Sequence, residues 1–441
     1  MKKYFLFCLL ITIFSCDKKK GLPEDTGVFL GEIDAVFTYG GSKNDAAQSV
    51  VSTIDGGYVV AGFTQSNNGD ITGKPTEGFD FWILKIKANN TIQWQKNIGG
   101  SLEDKASDII KTSDGGFAIL GYSKSKDGNA TSNAGNKDFW IVKLDALGNI
   151  LWQKSYGYVG SDFGVSLTES KDKGYLITGE LDVTASGGQG NSRASSRHAG
   201  GDVWAIKLDA LGNKQWSKFF GGSFTDTPRG VIETTKGDFI LVGSSDSKDV
   251  DISNNKGTYD FWVIKIDGTG KLIWEKNFGG SEIDEARGIV ASDDGNYIIV
   301  GDTRSSNADV TNQKGGADVW AIKINDDGNL LWQKNYGGSG FDVARSISKT
   351  KENQFIIAGS SRSSNLDITE NKGQNDLLVL KIDSNGQLLW QKTVGGSEID
   401  FAYDAVELTD GSLVAVGESS SKNGDIKENK GFTDLLIVKI K

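Results

Sequence analysis

The feature that most constrains this chain is a repeat. The stretch DVWAIKINDDGNLLWQKNYGGSGFDVARSI, Asp318 to Ile347, is written seven times in close variants. Its opening Asp recurs at Asp80, Asp138, Asp202, Asp260, Asp318, Asp376 and Asp434, at intervals of 58, 64, 58, 58, 58 and 58 residues. A second Asp, after a Gly-Gly step, recurs at Asp45, Asp104, Asp162, Asp226, Asp284, Asp342 and Asp400. A lysine inside the run recurs at Lys85, Lys143, Lys207, Lys265, Lys323, Lys381 and Lys439. A period held over so much of a chain means one supersecondary unit copied and stacked, and it overrides the two or three domains that 441 residues would otherwise suggest.

Each period holds four short runs of β-branched, aromatic or alternating residues bounded by turn chemistry. In the sixth, strands are expected over 343–349, 354–359 (QFIIAG), 376–382 (DLLVLKI) and 388–392 (LLWQK). Asp-Gly and Asn-Gly steps such as Asp114-Gly115 and Asn385-Gly386 supply the positive φ of tight hairpins. Four antiparallel strands in each of seven units predict an all-β chain, a seven-bladed β-propeller of four-stranded blades. The last unit stops after a third strand, DLLIVKIK, at Lys441. The strand it lacks is present at the other end, at Ala35 to Tyr39, before Gly40-Gly41. The ring is therefore expected to be closed by the N-terminal strand, which an open solenoid would not need.

The first residues, MKKYFLFCLLITIFSC, combine Lys2 and Lys3 with an apolar run from Tyr4 to Phe14 that is too short to span a bilayer. The run ends at Ser15-Cys16 and resembles a bacterial lipoprotein signal, which implies that Cys16 becomes the acylated first residue. An ordinary secretory signal is the plainer alternative. Cys8 would leave with the signal, so Cys16 would be the one remaining thiol, and no disulfide is expected in the mature chain. The predicted organisation is a signal over 1–16, a polar tether over 17–34 and the propeller over 35–441. The expected location is the cell envelope, with a lipid anchor in the outer membrane as the only membrane contact.

The repeat resembles bacterial exported β-propeller repeat families whose units read roughly DGGYIVAG…DFWVVKLDANGNLLWQKTYGGS. The matching stretches here are DGGYVVAG (Asp55 to Gly62), DFWVIKIDGTGKLIWEKNFGGS (Asp260 to Ser281) and their counterparts. It is similar to a lipoprotein of Bacteroidetes-like type, and more faintly to the blades of quinoprotein and outer-membrane-assembly propellers. The resemblance implies a fold and leaves function open.

Seven copies of a residue cannot be one active site, so recurring residues are read first as scaffold. The tryptophans of the third strands (such as Trp82 and Trp262) and fourth strands (such as Trp94 and Trp274) are expected to wedge between blades, a glycan-stacking platform being the functional alternative. The lysines are expected to be buried and paired with the two recurring Asp series. The Asp residues gather on the face that carries the second-to-third and fourth-to-first connections. Among them Asp251, Asp260, Asp309 and Asp318 flank loops that could offer oxygen ligands to Ca²⁺. The capping of loop N–H groups is the preferred reading, and no metal or cofactor is expected.

Three departures from the repeat mark candidate binding residues. The loop from Leu181 to Asp202 is longer than its counterparts and carries Arg193, Arg197 and His198, the sole histidine. Arg229, Arg287 and Arg345 share one position of the innermost strand in three consecutive blades, as an anion-binding arc or as salt-bridge partners of nearby acids. Gly157-Tyr158 replaces Gly-Gly. With one His and one lipid-bound Cys, the mature chain lacks the residues for a Ser-His-Asp triad, a thiol nucleophile or a His/Cys metal cluster. A net charge of −10 argues against nucleic acid. The expected function is non-enzymatic: a monomeric propeller that binds a protein or polysaccharide of the envelope, or scaffolds a complex, through its loop-rich face. A carbohydrate-active enzyme with paired Asp residues in the central depression is the alternative.

Overall fold

The structure, a computed structural model, describes residues 29–74, 78–182 and 201–441. The described residues form 28 strands, β1 (Ile33–Tyr39) to β28 (Asp434–Ile440), and no helix. They assemble into seven four-stranded antiparallel sheets. Six take consecutive strands, from β2 (Asp45–Ser52) through β5 (Ile92–Ile98) in blade one to β22 (Asp342–Lys349) through β25 (Leu388–Val394) in blade six. The seventh has the order β1-β28-β27-β26. The two ends of the chain thus share a sheet, with Phe37 opposite Ile437 and Tyr39 opposite Leu435. Beyond the paired strands, Glu32 and Lys441 exchange both backbone hydrogen bonds at 2.9 Å.

The alternation that made these runs legible as strands is superposed on burial from both faces. Third strands such as β16 (Asp260–Ile266) are buried at every position, because each blade is covered by a neighbour on either side. Fourth strands such as β17 (Leu272–Phe278) are mostly half exposed at the rim. The core is accordingly divided among the blade junctions. One cluster joins Tyr58 and Trp82 of blade one to Val414 and Leu435 of blade seven, and another joins Phe261 of blade four to Trp320 of blade five.

Both tryptophan series are wedges. Trp140, Trp204 and Trp320 are buried and lie with ring centroids 4.7, 4.9 and 4.6 Å from Phe81, Phe139 and Phe261 of the preceding blade. The fourth-strand rings sit under the turn glycine of the next blade, Trp274 under Gly328 and Trp332 under Gly386. Burying an aromatic of this size removes about 150–250 Å² from water, which makes these contacts a large apolar term of their junctions, while Leu378 and Leu436 take the third-strand position in blades six and seven. Tyr158, the departure from Gly-Gly, rests its ring 5.4 Å from Trp204, so it belongs to the same packing.

Candidate functional site

On the loop-rich face, one arrangement recurs at the blade junctions, and the junction between blades four and five shows it fully. Asp284 accepts the Gly280 N–H (2.7 Å) and the hydroxyls of Ser305 (2.8 Å) and Thr303. Asp309 accepts the Gly279 N–H at 3.1 Å. Across the junction Asp260 accepts the Lys256 N–H at 2.7 Å, while the Lys256 ammonium lies 2.8 Å from Asp309. Asp260 and Asp284 flank the Cα of Gly279 so closely that a Cβ there would lie 2.5 and 2.6 Å from their oxygens. Burial, opposed by Lys256 and reinforced by Asp284, pushes Asp260 up to about 6. Asp318, Asp376 and Asp434 are raised to about 6 in the same way, with burial the leading cause.

This geometry assigns the loop-face carboxylates. They cap backbone N–H groups and tie blades together, as the capping reading expected. The calcium reading of Asp251, Asp260, Asp309 and Asp318 finds no support in their geometry. Asp309 is met by a lysine ammonium, Asp318 accepts the Lys314 N–H at 2.6 Å, and Asp251 accepts the Gly221 N–H at 3.3 Å. Among the described residues no three His, Cys, Asp or Glu side chains converge as metal ligands. The lysines four residues before the third-strand Asp residues, Lys256, Lys314, Lys372 and Lys430, went unnoticed in the sequence. Their signal was available as a fixed offset from a repeated residue.

The mid-strand lysines require a correction. They pair neither with the Asp45 series nor with the Asp80 series, but with Asp residues of the turns on the opposite face. Lys85 lies 2.8 Å from Asp55, Lys143 2.9 Å from Asp114, Lys207 2.8 Å from Asp172 and Lys323 2.7 Å from Asp294. Asp55 is held down to about 2: slight burial works against this, and Lys85, Thr53 and the Gly57 N–H outweigh it. In blade six the turn Asp is replaced by Glu352, and Lys381 instead lies 4.6 Å from the ring of Phe29.

The two recurring Asp series sit at the blade junctions, and none of their members lines the central depression. That depression is a cavity of about 800 Å³ on the axis, walled by the first strand of every blade. All seven first strands carry a β-bulge at their fourth residue in the register counted from the recurring Asp, marked by the register shifts at Ala47/Ser49 in blade one and Ala286/Gly288 in blade five. A bulge re-aims side chains locally, so both the fourth and fifth positions reach the cavity. The fourth positions are Gln48, Ser107, Val165, Arg229, Arg287, Arg345 and Tyr403. The fifth are Ser49, Asp108, Ser166, Gly230, Gly288, Ser346 and Asp404.

Arg229, Arg287 and Arg345 therefore form one arc of the wall, over blades four to six. Of the two readings offered for them, salt bridging holds for Arg287 alone, whose guanidinium lies 2.8 Å from Glu285. Among the described residues Arg229 and Arg345 form no ion pair. Arg345 stacks against Phe401 and Tyr403 at 5.1 and 5.0 Å, and its Nε, like that of Arg287, has no hydrogen-bond acceptor. Burial first, and then the neighbouring Arg287 guanidinium, pull Arg229 below its ordinary range. On the other arc, blades seven, one and two present Asp404, Ser49 and Asp108. The Ser49 hydroxyl lies 3.1 Å from Asp108 and 3.0 Å from Asp404. Burial, helped by Asp404, pushes Asp108 up to about 6, although the Leu167 N–H and two serine hydroxyls favour its charged form. This acid pair was missed, because no one residue is kept through the seven blades at its position and the two residues stand far apart in the chain.

Arg193, Arg197, His198 and Cys16 lie outside the described residues.

The fold and the site define a β-propeller with a charged axial cavity. No family model matches the chain. It is 25% identical over 209 residues to the regulatory protein FlaEY of Caulobacter vibrioides, a match that covers 44% of this chain and 21% of that protein's length. Among solved structures, the WD40 domain of Neurospora crassa Pan2 is similar with a TM-score of 0.49 at 9% identity, covering 89% of this chain and 88% of that one. Sqt1 from Chaetomium thermophilum gives 0.45 at 10% identity, covering 94% and 100%. A protein of unknown function from Bacteroides caccae gives 0.43 at 12% identity, covering 76% and 93%. The propeller assignment rests on the sheet order of the chain itself.

Proposed function

We propose that this protein is a non-enzymatic, monomeric binding propeller of the cell envelope, which takes an acidic group of a protein or polysaccharide in its axial cavity. The observation that carries this reading is the arginine arc. Three guanidiniums crowd one wall, their Nε–H groups include two without acceptors, and two of the three lack a carboxylate partner among the described residues. Like charges gathered in a cavity cost stability, and an anion placed between them recovers that cost through charge-assisted hydrogen bonds. The described part of the loop-rich face offers less, since its carboxylates and lysines are already used in joining blades. The cavity volume lies within the range of ligand sites, about 300–1,000 Å³.

The test is an array of acidic and neutral glycans and acidic peptides, followed by reducing-sugar release on any glycan that binds. Binding that favours acidic members and falls in Arg229→Gln/Arg345→Gln, with no release, supports the reading. Release of reducing ends overturns its non-enzymatic part, and equal binding by the variant overturns the arc as the site.

We propose further that Cys16 carries the lipid that holds the protein to the membrane. Stable anchoring takes more than one acyl chain, which a processed bacterial lipoprotein has. Cys16→Ala should move the protein to the soluble fraction, and a variant that stays on the membrane through a high-salt wash contradicts the anchor.

A further inference from the structure

The axial cavity holds charges of both signs: Glu180 of blade three lines it within the field of Arg229, Arg287 is paired with Glu285, and the remaining charges stand apart. The cationic arc spans blades four to six, and the acids Asp108 and Asp404 stand on blades two and seven with Ser49 of blade one between them. Neither acid forms an ion pair among the described residues, and neither do Arg229 and Arg345. Had the two sets been structural partners, they would have met, as the buried lysines on the turn face meet their Asp residues at 2.7 to 2.9 Å.

The acid pair is also short of donors. A serine hydroxyl has one hydrogen, and Ser49 lies at hydrogen-bond distance from both carboxylates. Asp404 has further donors in the Val50 N–H at 2.9 Å, on the same oxygen that faces Ser49, and in the Ala405 N–H at 2.9 Å, on the other. The Asp108 oxygen that faces Ser49 has no other donor among the described residues, since the Leu167 N–H and the Ser166 hydroxyl both go to its other oxygen. Asp108 and Asp404 are half-buried, and two carboxylate oxygens that face a single hydroxyl hydrogen call for a further proton or a cation between them. An ammonium supplies three donors and a positive charge at once.

We propose that the cavity takes a zwitterionic ligand, with its carboxylate or other anionic group on the Arg229–Arg287–Arg345 arc and its ammonium on Asp108 and Asp404. This rests on the arginine arc being the anion site and adds the second pole. An anion without an ammonium leaves the acid pair unfilled, and an amine without an anionic group leaves the arginines facing one another. A chain that carries both groups at the right separation satisfies both walls, and its length is set by the width of the cavity.

The experiment is calorimetric titration of the full chain with β-alanine, γ-aminobutyrate and ε-aminohexanoate. Each is compared with the alkanoate of the same length and with hexylamine. The expected result is that one amino acid of the series binds at least tenfold more tightly than its alkanoate and than the amine. Asp108→Asn should erase that advantage. If the alkanoates bind as tightly as the amino acids, the second pole is overturned while the arginine site stands. If hexylamine binds as tightly as the best amino acid, the acid pair acts alone and the proposal fails. If amino acids and alkanoates of every length fail to bind, both this inference and the arginine site fail for small ligands. The wild-type comparison decides the matter even where the variant does not fold.

Discussion

The ammonium of Lys430 lies 3.1 Å from the carboxylate of Asp70, joining the last blade to the first. It is the same contact that Lys256 makes with Asp309 between blades four and five. The neighbouring contacts are repeated as well. Gly41 donates to Asp45 at 2.7 Å and Gly40 to Asp70 at 3.0 Å, as Gly280 does to Asp284 and Gly279 to Asp309. The junction that brings the chain ends together is built like an internal one.

Removing the N-terminal strand should therefore cost more than a loose terminus would. Deletion of Ala35 to Tyr39 strips β28 of its partner and exposes the edge of DLLIVKIK, a ready template for pairing with another chain. The expected outcome is a lower melting temperature and concentration-dependent aggregation, read by calorimetry and light scattering. An unchanged melting curve would mean that the strand contributes nothing to closing the ring.

Gly279 is predicted to be intolerant of any side chain. A methyl group there would lie 2.5 Å from Asp260 and 2.6 Å from Asp284, both buried and both fixed by hydrogen bonds. Gly279→Ala should destabilise by about 1–3 kcal/mol, the ordinary cost of overpacking. Gly295→Ala is the contrast, since a Cβ at that turn meets nothing within 4 Å and the loss comes only from its φ of 79°. Denaturant melts of the two variants check the order: the account requires Gly279→Ala to be the more destabilised.

The junction carboxylates also predict how stability varies with pH. Asp80, Asp260, Asp318, Asp376 and Asp434 have folded values raised to about 6, mainly by burial. A raised carboxylate binds more protons folded than unfolded, so its contribution is present at low pH and is lost as pH rises through about 6. Asp55, Asp114 and Asp172, held at about 2, act in the opposite sense: their contribution is lost as pH falls below about 4 toward 2. Stability should therefore be greatest between about pH 4 and 5 and lower at neutral pH. Melting temperatures at the two pH values test this, with Asp260→Asn expected to narrow the difference. A protein more stable at neutral pH than near pH 4.5 contradicts the raised values.

The strand pattern, the seven blades and the wedge role of Trp140 or Trp274 were all legible in the sequence, because a repeat averages away local ambiguity. So was the shared position of Arg229, Arg287 and Arg345. The lysine partners were misread because the two conspicuous Asp series drew attention from the turns. Lys85 stands five residues beyond Asp80 in one strand, which at about 3.3 Å per residue puts them about 16 Å apart, at opposite ends of the blade. That arithmetic was available and points to Asp55. Asp108 and Asp404 carried no such signal. Each is a single change at a position where other blades have Ser or Gly, and only ring formation brings them to one hydroxyl.

The binding role of the axial cavity is tested by melting temperatures of the wild type and of Arg229→Gln, each measured without ligand and with a saturating acidic ligand found on the array. Arg229 has no ion-pair partner among the described residues and sits in the field of Arg287 and Arg345, opposed by that of Glu180 and Glu285. A site that holds like charges for a ligand sacrifices stability for binding. The account predicts that Arg229→Gln raises the unliganded melting temperature by about 2 °C and loses most of the ligand-induced rise seen in the wild type. A variant that melts lower than the wild type yet keeps the full ligand-induced rise would show the arc to be scaffold, and would contradict the claim that the axial cavity is the binding site.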